Sequence, residues 1–290
     1  MDGYPQVVTR YSTISFLSDF GHADEFVGVV HSVIRSIAPE AAVVDVTHGI
    51  RPHDVRAGAL ALARSAQYLC PGVVLAVVDP GVGTDRRAVA IEVGEGASVL
   101  VGPDNGLLAS AVAMVGGASR AVELAAPELQ LPRIGSTFDG RDVFAPAAAH
   151  IANGVDLADF GPVIDAASLM PGLLPVIGVE DGGLMVEVLW IDHYGNVQLN
   201  IGAEDLAEWG DPVSLIVGDH RETIARRGAY RDISSGEVGA VIDSTGLVSL
   251  AVNGGSAAEK LHISASDELR IEKIDGPPPQ STAVTLGRMQ

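Results

Sequence analysis

Val73–Gly83 reads VVLAVVDPGVG: six apolar residues end on Asp79, and a proline and two glycines follow. The run is too short for a helix and rich in valine, so it reads as a strand buried on both faces with a carboxylate at its exit. The same form recurs upstream, where TISFLSDFG (Thr13–Gly21) ends on Asp19 and AVVDVTHG (Ala42–Gly49) places Asp45 at its exit. The strands expected are Thr13 to Leu17, Ala42 to Val46, Val73 to Val78 and Val99 to Val101. Helices lie between them. Phe26, Val29, Val30, Val33, Ile34 and Ile37 recur at helical spacing, with Asp24 placed to cap the segment and Pro39 to end it. A second helix runs from Asp54 to Leu69 between two prolines, and a third from the turn at Pro103–Gly106 to Gly116. The segment VFAPAAAHIANG makes a fourth, with Asp142 available as its cap. Strands alternating with helices are the signature of an α/β domain.

From Gly161 to Gly183 the text loosens into GPVIDAASLMPGLLPVIGVEDGG. Beyond it LMVEVLWID, VQLNI, PVSLIVG, EVGAVID, LVSLAVN and ELRIEKI alternate with glycine and aspartate turns. We therefore expect an amino-terminal α/β domain over residues 1–170, a linker over 171–182, and a smaller carboxy-terminal domain over 183–290, an antiparallel sheet of barrel-like form. The tail from Gly276 to Gln290 is expected to fray.

The chain has 290 residues and a formal net charge of -19, which opposes the counterion exchange that nucleic-acid binding requires and repels anionic membranes. No apolar run reaches the length of a membrane span, and the first residues lack a basic patch leading into an apolar stretch. A cytoplasmic protein is expected. The single cysteine, Cys70, sits in QYLCPGVVL and is assigned to core packing.

In open α/β sheets the ligand crevice lies beyond the carboxyl ends of the strands, so Asp19, Asp45 and Asp79 are candidate ligand contacts. A short carboxylate there suits the two hydroxyls of a ribose, or a water to be oriented and deprotonated. Arg86 and Arg87 follow Asp79 at a distance that a glycine-containing loop can fold back. His22, His48 and His53 near the aspartates allow a mixed His/Asp metal site, but no tight ligand spacing supports one. The stretch STFDGRDVFAP (Ser136–Pro146) adds Asp139 and Arg141. In WIDHYGNVQLNI, Asp192, Tyr194 and Asn196 make either a plain hairpin turn or a purine pocket with a stacking face and a carboxamide. DSTGLVSLAVNGGSAAE supplies Ser244, Thr245 and Asn253 around glycines.

Taken together, SDFG, VDVTHGIRPHDVRAGA, VVDPGVGTDRRAVA, GPDNGLLA, TFDGRDVFAPAAAH, DHYGNVQLNI and DSTGLVSLAVNGGSAAE resemble, in colinear order, the S-adenosylmethionine hydroxide adenosyltransferase family, relatives of fluorinase and chlorinase. The resemblance implies hydrolysis of S-adenosyl-L-methionine to adenosine and methionine by water or hydroxide attacking ribose C5′. It also implies a homotrimer with active sites between subunits, and neither cofactor nor metal. By motif position, Asp19 binds the ribose diol, and Asp79 and Arg86 orient the water, with Arg87 the less favoured arginine. Asp192 and Ser244 hold the amine and carboxylate of the methionine moiety; Tyr194, Asn196 and backbone near Val252 and Gly254 contact adenine. Halogenases carry tyrosine where this chain has Asp79, which favours hydrolysis. Asp139 stands where the family often has histidine, so it joins the catalytic set as the departure. A substrate sensor without chemistry, a halogenase and a metal-dependent hydrolase are the competing readings.

Overall fold

The computed structural model describes residues 10–172 and 175–274, and two compact units divide between residues 173 and 174. The expectations for the first residues and for the 276–290 tail lie outside the described residues. In the first unit the chain runs β1 (Thr13–Ser18), α1 (Phe26–Ile37), β2 (Ala42–Thr47), α2 (Val55–Ala66), β3 (Val73–Val77), β4 (Ala88–Val93), β5 (Ser98–Pro103), α3 (Ala109–Met114), β6 (Ala118–Glu123) and α4 (Ala145–Ala152). The sheet order is β2-β1-β3-β5-β4-β6. The first four strands in that order are parallel, and β4 is antiparallel to both its neighbours.

Both faces of this sheet are covered, which is why its central strands read as unbroken apolar runs. One face packs Ile14, Phe16, Leu75 and Val101 against Val30 and Ile34 of α1 and the small residues of α4. The other packs Leu17, Ala76 and Leu100 against Leu62 of α2 and Leu107 ahead of α3. In α4 every alanine is buried, so that helix sits close on its neighbours without large side chains.

Several local expectations need correction. β2 is the edge strand and is largely exposed rather than buried on both faces, and Asp45 lies within it, not at its exit. α1 begins after Glu25 with no side-chain cap, so Asp24 does not cap it. Asp142 caps nothing either: it is buried in a π-helical turn, Gly140–Phe144, that leads into α4. α2 does receive its cap, from Asp54 to the Ala57 amide at 2.9 Å. Cys70 is exposed rather than packed in the core, because it falls in the loop after α2. Strands β4 and β6 were not expected; AVAIEV carries a glutamate at the sheet surface, and ASRAVE is half polar. The stretch from Gly161 is not loose at its start: Val163 bridges Val122, and the Met170 amide binds Asp104.

The second unit contains β7 (Gly178–Glu180), β8 (Gly183–Ile191), β9 (Val197–Gly202), β10 (Val213–Val217), β11 (His220–Arg226), β12 (Val238–Ile242), β13 (Leu247–Val252), α5 (Ala257–Leu261) and β14 (Glu268–Lys273). Pairing of β14 with β8 closes seven of these strands into a barrel, with β7 added outside on β8. Leu184, Val186 and Val188, then Val197, Leu199 and Ile201, then Leu269 and Ile271 point into its core at the period of two that strands impose. One pair, β11 with β12, is parallel, so the barrel is not purely antiparallel. Among the described residues no helix is long and apolar enough to cross a membrane.

Candidate active site

Ser18 of β1 pairs with Val77 of β3, so the residues that follow these strands leave the sheet side by side. This brings Asp19 and Asp79 to one cavity of about 320 Å³, with Asp139 on its wall. Asp19 is held by the His53 amide, which donates to Oδ2 at 2.8 Å. Asp45 does not reach this cavity.

Asp79 receives Arg86 side-on. Nε lies 3.0 Å from each carboxylate oxygen and Nη2 lies 2.5 Å from Oδ2. The same Nη2 donates to Asp139 Oδ2 at 2.5 Å, so one guanidinium stands between two carboxylates. No more than 12% of any of the three side chains is exposed. Burial pulls the Arg86 pKa down, but hydrogen bonds and charge from Asp79, then Asp139, outweigh it and leave the pKa above the usual arginine value. The cation is therefore permanent. Removing one member of such a buried set costs about 3–5 kcal/mol, because its partner's charge is left uncompensated. Arg133, which the sequence did not single out, approaches Asp139 Oδ1 at 3.4 Å from the half-exposed side.

The loop geometry explains how the sequence achieves this. A turn from Asp79 to Thr84, with Val82 N bound to Asp79 O and Thr84 N to Gly81 O, carries the chain back to Arg86. Gly83 has φ +78°, and a Cβ there would lie 2.7 Å from the Ser136 carbonyl oxygen; Gly140 leaves room for the Phe20 ring, which a Cβ would meet at 2.8 Å. The missing side chain at Gly83 lets the Asp79–Arg86 loop press on the segment that carries Asp139, and the one at Gly140 lets that segment press on the loop after β1. Arg86 is further steadied over the Phe144 ring at 5.1 Å. Arg87 turns the other way, to Asp104 at 2.8 Å and to Ser168, and thus braces the loop outside the cavity. Arg141 pairs with its neighbour Asp142 at 2.6 Å and lies over Phe138.

The cavity has an aromatic side that the sequence reading missed. Phe20, Phe26 and Phe138 line it and meet edge to face at centroid distances of 5.2–6.0 Å. Each phenylalanine stands within two residues of a charged motif residue, and that adjacency was the available signal. A floor of carboxylates beside an aromatic wall suits a ligand with a hydroxylated ring and a positive or neutral reacting centre. Of the histidines considered as ligands, His53 lines the cavity and His22 stands beside the buried His48.

In the barrel unit, Asp192 organises the β8–β9 turn. Its Oδ1 accepts the amides of Tyr194 (2.8 Å) and Asn196 (2.9 Å), and its Oδ2 accepts Asn196 Nδ2 at 2.8 Å. The plain hairpin turn is thus present, with Tyr194 projecting into solvent, 76% exposed. At the β12–β13 turn Asp243 binds Thr245, the Leu247 amide and Gln198, and presents Ser244 exposed. Val252 and Gly254 lie where β13 ends, and the Ala258 amide just beyond binds Gly195 O of the first turn at 3.0 Å. Burial first, then the charges of Asp192 and Asp243, push the Tyr230 phenol above its usual value. Tyr230 therefore stands near both turns, and it too was missed, being a lone aromatic in GAYRD.

Comparison with known proteins follows the same division. Residues 14–161 match the SAM hydroxide adenosyltransferase N-terminal domain, and residues 186–270 the C-terminal domain of that name. A protein of Salinispora arenicola named (R)-S-adenosyl-L-methionine hydrolase is 47% identical over 258 residues, spanning 89% of this chain and 97% of its own. A fluorinase of Actinopolyspora mzabensis is 26% identical over 292 residues, spanning 90% and 97%. The crystal structure of a conserved protein from Thermotoga maritima superposes with TM-score 0.82 at 34% identity, covering 90% of this chain and all of that one.

Proposed function

The chain belongs to the SAM hydroxide adenosyltransferase family, and from that premise we infer that it hydrolyses S-adenosyl-L-methionine to adenosine and L-methionine. The observation that carries the reading is the buried Asp79–Arg86 pair beside Asp19 in an aromatic-walled cavity. Water donates a hydrogen bond to Asp79, which turns a lone pair towards C5′ of the ribose. The O–C5′ bond forms as the C5′–S bond breaks, and its electron pair goes to sulfur. Methionine leaves as a neutral thioether, so no general acid is needed, and the proton of the attacking water passes by way of Asp79 to solvent. Arg86 holds Asp79 fixed in orientation through its side-on hydrogen bonds. Catalysis then consists of alignment and removal of competing water.

Asp19, its second oxygen fixed by the His53 amide, accepts the ribose hydroxyls. Asp192 and Ser244 take the amine and carboxylate of the methionine part. Tyr194, Asn196, Val252 and Gly254 contact adenine. Asp139 supports Arg86 where a histidine is frequent in the family, and Arg133 offsets its extra charge. The carboxylate at position 79 repels halide, which separates this chemistry from that of the fluorinase relative. The name of the Salinispora relative specifies the (R) sulfonium epimer, and we assign the same preference here. No cofactor or metal takes part in the reaction, the working form is a homotrimer with sites between subunits, and the setting is cytoplasmic.

The test is direct. Purified protein given the two sulfonium epimers should release adenosine and methionine in equal amounts, faster from the (R) form, with or without chloride. Appearance of 5′-chloroadenosine, or binding without product, would reject the assignment.

A further inference from the structure

Three side chains outside the cavity converge on one point at the edge of the first sheet. His31 Nε2, from α1, lies 2.8 Å from Asp45 Oδ1, and His48 Nε2, just after β2, lies 3.1 Å from the same oxygen. The donor atoms of all three lie within 4.8 Å of one another. We propose that His31, Asp45 and His48 form a binding site for one divalent transition-metal ion of the zinc class.

The second imidazole carries the argument. His48 is 1% exposed, and its Nδ1 is fixed 2.7 Å from Ser18 Oγ, itself in contact with the Phe20 amide. Its Nε2 is buried and aimed at Asp45, yet makes no aligned hydrogen bond. An imidazole tied by one nitrogen to a polar partner, with the other directed at a carboxylate and a second imidazole, is the arrangement of a metal ligand with its supporting contact. Packing holds the ring in place: Phe16 meets it edge-on at a centroid distance of 4.5 Å, and His22 stands perpendicular at 5.4 Å. Donors bound to one ion at about 2.0–2.2 Å sit roughly 3–3.5 Å apart, so only a small rotation of His31 and Asp45 is needed to admit it. Both are free to make it, since their side chains are 35% and 41% exposed. That exposure also gives the ion an entry path and room for water ligands. Two imidazoles and one carboxylate favour zinc, cobalt or nickel over magnesium or calcium, which prefer oxygen donors.

None of the three residues lines the cavity that holds Asp19 and Asp79. The ion would tie α1 to the edge strand and take no part in hydrolysis, so the proposal stands whether or not the assigned reaction does. Untagged protein, stripped with chelator, is titrated with zinc chloride by calorimetry, and its cobalt(II) absorption is recorded. One ion per chain is expected, with a raised thermal midpoint and affinity at least about tenfold weaker in His31→Ala and in Asp45→Asn. His31 is on the surface, so its variant should remain folded. Failure of the folded wild-type protein to bind zinc stoichiometrically, or unchanged affinity in both variants, would show a hydrogen-bonded His–Asp–His group only and overturn the proposal.

Discussion

Asp139 shows what a single residue changes in this site. A carboxylate only accepts hydrogen bonds, and here it accepts one from Arg86 and forms an ion pair with Arg133, whereas an imidazole between those two cations would resist protonation but still titrate. We expect Asp139→His to stay folded and to add an acid limb to the pH–rate profile. Activity should be present above the imidazole pKa and lost as pH falls through it, because the imidazolium would repel Arg86 and the sulfonium. Unchanged rate and unchanged profile would remove position 139 from the working set. At this scale the sequence was informative where charge followed a strand, as at Asp19 and Asp79, since neighbouring parallel strands must deliver their exits together. Spacing alone left Arg86 and Arg87 undecided, because adjacent residues on a loop point apart; the bonds of Arg86 to Asp79 and of Arg87 to Asp104 separate them. Arg133 was invisible, as an arginine in a proline- and glycine-flanked loop carries no pattern.

Among the elements, the turns of the barrel unit are held by carboxylates: Asp192, which the sequence left open between a hairpin turn and a ligand contact, and Asp243, which the sequence reading did not single out. Asp243 accepts two backbone amides, the Thr245 hydroxyl and Gln198. Burial raises its pKa, but those hydrogen bonds, led by Gln198 and Thr245, prevail and leave it below the ordinary aspartate value. A group whose folded pKa is depressed contributes stability above its unfolded pKa, near 4, and loses it as pH falls through the folded pKa. Asp243→Ala should therefore cost about 1–3 kcal/mol at neutral pH, and the difference from wild type should shrink in acid. Denaturant melts at pH 7 and pH 3 measure both, and a gap that widens in acid would contradict the assignment. The central strands were legible because burial on both faces removes polar residues. The edge strand β2 was misjudged, since AVVDVT is apolar enough to pass for a buried strand while lying open on one side. β6 and β11 went unseen because a half-polar strand resembles a loop when its partner is unknown, whereas β4, apolar at five of six positions, was passed over behind the charged loop at Asp85–Arg87.

At the level of the whole molecule, the α/β unit and the barrel were both foreseeable from the change of hydrophobic period along the chain, and the closure of the barrel only from the pairing of β14 with β8. Assembly is a separate prediction: sedimentation should give a mass three times the chain's 29.9 kDa, and a monomer with full activity would contradict sites between subunits. The central claim is that water, held by Asp79 and Arg86, attacks C5′ of S-adenosyl-L-methionine. Turnover in water enriched in oxygen-18 tests it most directly. We predict one heavy oxygen in the 5′-hydroxyl of adenosine and none in methionine, with the rate lowered at least about 100-fold in Asp79→Asn. Adenosine without the label, cleavage on the other side of sulfur, or an Asp79→Asn variant of undiminished rate would contradict the account.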